Sequence, residues 1–156
     1  MDANASKRSA QIMIVDDDPD TVSILARHLE REGFVAIEAG SGAQCLKLVE
    51  QNEVDVILLD LMMPDMDGFQ VTRALKNSPE TAEIPIIMIT ARDDIEARAE
   101  GMRLGVSDFL SKPVFRRQLA NRIRAQLQVS ETARNTDATL QRLDGANPSG
   151  QKKKAE

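Results

Sequence analysis

A chain of 156 residues with a net charge of −5 has room for one domain and a short extension. Hydrophobic residues make up 42% and charged residues 29%, the balance of a folded globular chain and not of a disordered one. No apolar run nears the roughly 18 residues of a membrane span, the acidic total argues against direct nucleic-acid binding, and a lone Cys45 excludes an internal disulfide or thiolate cluster.

Met1 to Ala10 are small and polar, which predicts a disordered leader and no secretory signal, hence a cytoplasmic protein with no membrane insertion. Ile12-Met13-Ile14-Val15 is a short apolar strand stopped by Asp16-Asp17-Asp18. Asp18 before Pro19 has the form of an N-cap with proline in the first turn. Val22, Leu25, Ala26 and Leu29 then recur at helical spacing until Gly33. Phe34 to Glu38 reads as a second strand, and Ala43, Leu46 and Val49 mark a second helix after Gly40-Ser41-Gly42.

Val54 to Asp60 is an apolar strand that ends abruptly in a carboxylate, followed by a loop through Pro64, Asp65, Asp67 and Gly68. Phe69, Thr72 and Leu75 predict a third helix, and Ile84 to Thr90 a fourth strand with Pro85 at its tolerant start. Asp93 is the expected cap of a fourth helix ending at Gly105. Val106 to Ser111 is a fifth strand, and a last helix from near Val114 or Phe115 turns Leu119, Ile123 and Leu127 inward. Strands and helices alternate five times, which predicts a parallel sheet with helices on both faces. The domain spans residues 11–129. Residues 130–156 are polar enough to predict a mostly disordered tail, prolonging the last helix at most at its start.

Asp16-Asp17, Asp60, Thr90 and Lys112 all fall at carboxyl ends of strands. A parallel sheet gathers such ends on one edge, so residues far apart in sequence can converge there. Three carboxylates in one crevice call for a hard cation, and Mg²⁺ suits an oxygen site with few protein ligands. A lysine supplies a point charge for a phosphate oxygen, and a threonine hydroxyl a hydrogen bond. The set describes a phosphoryl site in which one carboxylate can be the nucleophile.

With the acidic pair, Asp60 followed by Met63-Pro64-Asp65-Met66-Asp67-Gly68, Thr90-Ala91 and Lys112-Pro113 all in order, the chain resembles the receiver domain of two-component response regulators over residues 11–129. The resemblance implies a flavodoxin-like five-stranded parallel sheet, order 2-1-3-4-5, with five flanking helices. It implies Asp60 as phospho-acceptor, and Mg²⁺ held directly by Asp17, Asp60 and the backbone carbonyl of Met62, with Asp16 acting mainly through water. Lys112 would neutralise phosphoryl charge. Thr90 would bind the phosphoryl group and move on activation, and Phe109 would be the aromatic that turns inward with it. The Lys112–Pro113 bond would be cis.

The donor would be a sensor histidine kinase or a histidine phosphotransferase. The output would pass to an unnamed downstream protein, or to a homodimer, through the fourth helix, fifth strand and fifth helix. The chain would be no enzyme beyond self-phosphorylation and slow autodephosphorylation, with apolar Met62 and cationic Arg92 favouring a long-lived phosphoryl group. Two alternatives accompany this reading: a phosphorelay intermediate returning the group to a histidine, and a receiver fragment of a longer DNA-binding regulator. A turnover phosphatase is disfavoured for want of a second acid–base beside Asp60. Asp65 and Asp67 follow Pro64 in the loop, so turn and cap chemistry accounts for them. His28 is read as a solvated surface residue, Cys45 as a small buried apolar one, and the late arginines as a solvated or partner-facing surface.

Overall fold

The computed structural model describes residues 8–92 and 94–146, with side chains as far as Ala133. Among the described residues the strands are β1 (Gln11–Val15), β2 (Val35–Ala39), β3 (Val56–Leu59), β4 (Ile86–Thr90) and β5 (Asp108–Ser111). The helices are α1 (Pro19–Arg31), α2 (Gly42–Gln51), α3 (Gly68–Lys76), α4 (Ile95–Leu104) and α5 (Arg116–Ala146). All strand pairs are parallel, in the expected order β2-β1-β3-β4-β5.

Strict alternation along the buried strands divides the interior into two layers. Met13, Val15, Ile57, Leu59, Ile86 and Met88 face α2, α3 and α4, where Cys45, Val49, Val71, Leu75 and Ala97 meet them. Ile12, Ile14, Val56, Leu58, Ile87 and Ile89 face α1 and α5, against Val22, Leu25, Leu29, Leu119 and Ile123. The central strands β1, β3 and β4 are thus apolar on both sides, as an enclosed parallel sheet requires.

Local signals set most boundaries. Asp18 caps α1 by accepting from the Asp20 amide, with Pro19 in the first turn. Asp67 closes a reciprocal capping box with Gln70 at the start of α3. Gly105, at φ +108°, ends α4 in the left-handed conformation that glycine adopts without strain. The Lys112–Pro113 peptide is cis.

Several elements depart from expectation. The strands β3, β4 and β5 are each two or three residues shorter than their apolar runs. The buried stripe of α2 is Gly42, Cys45 and Val49, while Ala43 is exposed. Val71 and Met66 press on Gly42, where a Cβ would lie 2.7 and 3.0 Å from their side chains, and this contact sets the helix rotation. The cap of α4 is Asp94, which accepts from the Ala97 amide at 2.7 Å, whereas Asp93 lies outside the described residues. The largest difference is α5, which continues to Ala146 where a polar tail was expected from residue 130. No proline or glycine interrupts the chain from Val114 to Asp144, and a nucleated helix extends at little cost through such residues. Of the expected disordered ends, residues 1–7 and 147–156 lie outside the described residues.

Candidate functional site at the carboxyl edge of the sheet

The site begins where strand pairing runs one residue past the strands themselves. The Asp16 amide donates to Ala39 O at 3.1 Å, and the Asp60 amide to Val15 O at 2.9 Å. Both carboxylates therefore stand on backbone fixed by the sheet and both are buried, whereas Asp17 is exposed. One oxygen from each of Asp16, Asp17 and Asp60 falls within 4.8 Å of the others. Isolated buried carboxylates at such separations repel strongly, so the arrangement requires positive charge.

Part of that charge is Lys112, whose Nζ donates to Asp16 Oδ2 at 3.0 Å and lies 3.6 Å from Asp60 Oδ2. The lysine is carried there by β5, and its amide donates to Thr90 O at 3.1 Å, tying the ends of β4 and β5 together. Burial alone would lower its pKa, but the Asp16 hydrogen bond and the Asp60 charge outweigh that and raise it. Asp60 is pushed upward, first by burial and then by the charge of Asp16, with Lys112 opposing. The lysine leaves the Asp60 carboxylate under-compensated. An all-oxygen donor set with residual negative charge fits a divalent cation of the Mg²⁺ kind.

The loop after β3 is held tightly behind Asp60. Leu61 and Met63 are buried and Met62 between them is 57% exposed, so the two anchors turn the Met62 side chain outward. The Gly68 amide donates to Leu61 O at 2.9 Å. A Cβ on Gly68 would stand 2.8 Å from both Asp60 O and Leu61 Cα, so only glycine permits this approach. Asp65 takes a positive φ of 70° and Met66 N donates to Pro64 O at 2.7 Å, the turn role expected of this loop.

Thr90 is fully buried at the tip of β4, where its Oγ1 accepts from the Arg92 amide at 3.1 Å. The Arg92 guanidinium pairs with Asp94 at 3.2 Å, on the rim of an open hollow lined also by Met62, Met63, Asp67 and Phe69. Phe109 is buried in the core beneath α4, with the Arg98 guanidinium 5.4 Å from its ring centroid. The structure thus brings Asp16, Asp17 and Asp60 within 4.8 Å of one another, with Lys112 against Asp16 and Asp60 and Thr90 at the adjoining strand tip. The roles of Gly68 and of the Arg92 amide were not foreseen, although a glycine one residue after an aspartate cap is a readable signal for the first.

Residues outside this edge have ordinary partners. Arg116 and Arg124 share Glu32 at 2.9 and 2.8 Å, and Arg122 pairs with Asp108 at 2.8 Å. His28 is half-buried and not fully solvated as expected, and burial with the charges of Arg116, Arg31 and Arg27 lowers its pKa. Cys45 is buried, and desolvation raises its thiol to about 12, which leaves it inert. No helix among the described residues is long and apolar enough to cross a membrane.

Comparison with known proteins gives a consistent result. The family model described as the response regulator receiver domain matches residues 12–124. The chain is 38% identical over 133 residues to the heme response regulator HssR of Staphylococcus aureus strain MRSA252, covering 85% of this chain. It spans only 58% of the length of that relative. Among solved structures, it resembles the chemotaxis protein CheY4 of Vibrio cholerae with a TM-score of 0.74 and 27% identity, over 77% of this chain and 100% of that one. A response regulator from Chloroflexus aurantiacus gives a TM-score of 0.74 at 30% identity, over 78% of this chain and 99% of the other.

Proposed function

The chain belongs to the response regulator receiver domain family, and on that premise we propose that Asp60 accepts a phosphoryl group from a partner's phosphohistidine with the help of Mg²⁺. The observation that carries this reading is the close set of Asp16, Asp17 and Asp60 oxygens with Lys112 bridging two of them. Asp60 is the buried carboxylate that Lys112 approaches but does not fully neutralise, at 3.6 Å against 3.0 Å for Asp16. Its carboxylate oxygen attacks phosphorus as the donor's P–N bond breaks, and the departing imidazole leaves with a proton.

Each neighbour has a task in that step. Asp17, Asp60 and the Met62 carbonyl would hold the cation, with Asp16 acting through water. A bound Mg²⁺ would screen the carboxylates and draw charge from the phosphoryl oxygens. Lys112 neutralises a phosphoryl oxygen, and the Thr90 hydroxyl donates to another once it gives up the bond from the Arg92 amide. That exchange moves the β4–α4 connection and alters the α4–β5–α5 surface, which a downstream protein or a second copy reads. The sensor histidine kinase or histidine phosphotransferase is the donor, and slow self-hydrolysis resets the site.

Incubation with acetyl phosphate tests the reading by intact-mass measurement. One added phosphoryl group is expected with Mg²⁺, none with a chelator, and none in Asp60→Ala. Uptake that survives Asp60→Ala refutes the assignment. Rapid return of the group from Asp60 to an added histidine phosphotransferase would mark a relay intermediate instead.

A further inference from the structure

Gly101 sits inside α4, where glycine costs about 1 kcal/mol relative to alanine. It is also buried. A Cβ built there would lie 2.4 Å from Cζ and 2.8 Å from Cε1 of Phe109, with Val106 Cγ2 at 3.5 Å. The ring fills the space that any other side chain would begin to occupy. Phe109 itself is only 3% exposed, and Arg98, three residues before Gly101, covers its ring.

The sheet register connects this seat to the site. Met88 pairs with Phe109 and Thr90 with Ser111 across β4 and β5. Residues two apart on a strand share a face, so Thr90 lies on the face of Met88 and Phe109, diagonal to the ring. Met88 and Phe109 belong to the core layer beneath α2, α3 and α4. A buried ring beside Thr90 and a helix lacking a side chain above it form one packed unit.

We propose that Gly101 is a positioning residue for phosphoryl transfer at Asp60: by omitting its side chain it seats the Phe109 ring inward, beside Thr90, before any phosphoryl group arrives. The inference rests on the phospho-acceptor reading of Asp60. The inward arrangement is already populated at rest, so the reaction does not first have to draw on a minor state. Where the competent state is only fractionally populated, the apparent rate falls by that fraction. The position of α4 is keyed to the same ring, because the glycine fits only one depth of contact.

The test uses the full chain with ¹³C-labelled phenylalanine and a soluble paramagnetic probe, followed by Mg²⁺-dependent uptake from acetyl phosphate. Phe115, 67% exposed, is the internal standard for an accessible ring. Without a phosphoryl donor, the Phe109 ring of the unsubstituted chain is expected to be protected. Gly101→Ala should make it as accessible as Phe115 and slow uptake roughly fivefold, with Mg²⁺ affinity unchanged. In a Phe109→Ala background, Gly101→Ala should have no further effect on uptake, a result that general destabilisation would not produce.

A resting Phe109 ring as accessible as Phe115 overturns the proposal. So does an unchanged uptake rate in Gly101→Ala, or an equal loss with and without the ring. If Gly101→Ala does not fold, Phe109→Ala alone decides, since uptake equal to that of the unsubstituted chain removes the coupling. Absence of uptake in the unsubstituted chain is a separate failure, that of Asp60 as acceptor, and the coupling falls with it.

Discussion

Helices α1 and α4 both start just beyond strand tips that form the site, yet they are attached in opposite ways. In α1, Val22, Leu25, Ala26 and Leu29 are buried, and Asp18 at its start accepts from both the Asp20 amide and the Thr21 hydroxyl. At the other end Glu32 receives Arg116 and Arg124 from α5. In α4 the buried residues are Ala97 and Gly101, while Ile95 is 85% and Met102 57% exposed. Few buried apolar contacts mean a low local cost of displacement. The carboxylates are thereby fixed on the α1 side, and the side that can respond is α4.

Asp60→Asn should break that contrast at its origin. In the unsubstituted chain, beryllofluoride with Mg²⁺ is expected to change amide exchange in α4 by about tenfold or more and in α1 hardly at all. With asparagine at position 60 neither helix should change. An equal response in both helices would refute the division between anchored and responsive flanks. The next effect is on stability. Leu29→Ala removes a fully buried side chain from the α1 layer and should cost about 2–5 kcal/mol. Met102→Ala on α4 should stay within about 0.5 kcal/mol. Urea denaturation of both variants checks the difference.

A smaller effect concerns the strain that the fixed flank carries. Burial and the charge of Asp16 hold the Asp60 carboxyl above the usual carboxylate range. The folded chain therefore binds this proton more tightly than the unfolded chain does. Its stabilising contribution is complete below the unfolded carboxylate pKa and is lost as pH rises through the raised folded value. Near neutral pH without Mg²⁺, Asp60→Asn should then be more stable by about 1 kcal/mol, the usual scale for relieving a strained functional site. The advantage should shrink as pH falls toward about 4 and be gone below it, and denaturant midpoints across that range measure it. A variant less stable than its parent at neutral pH would show that Lys112 fully compensates the carboxylate.

The same asymmetry governed what could be read from the sequence. The apolar stripe of α1, its cap and the strand tips bearing Asp16, Asp60, Thr90 and Lys112 are periodic or punctuated signals, so the α1 flank and the sheet order were legible. The α4 flank was not, because its contacts are made by small residues that carry no hydrophobic period. Its cap was placed one residue early, since two adjacent aspartates offer the same local chemistry and only the bond to Ala97 distinguishes Asp94. In α2, the rotation depends on Met66 and Val71 pressing on Gly42, a tertiary contact invisible to spacing. The length of α5 was underestimated because burial was weighed above helix propagation.

The smallest effect lies on the rim between the two flanks. Met62 stands 57% exposed beside the site and offers no polar atom to orient an attacking water. Arg92 is held by Asp94 and its amide donates to the Thr90 hydroxyl, so its side chain borders the hollow that Met62 also lines. Met62→Asn supplies a donor and an acceptor at that position and should quicken loss of the phosphoryl group about threefold, which is roughly 0.7 kcal/mol in the barrier. Arg92→Ala should give a smaller increase, because it removes only the side chain on the rim of the hollow. The decay of phosphorylated protein after removal of acetyl phosphate measures both. Unchanged decay in both variants would mean that hydrolysis is limited by the anchored carboxylate edge, and that the α4 rim governs the signal's formation but not its lifetime.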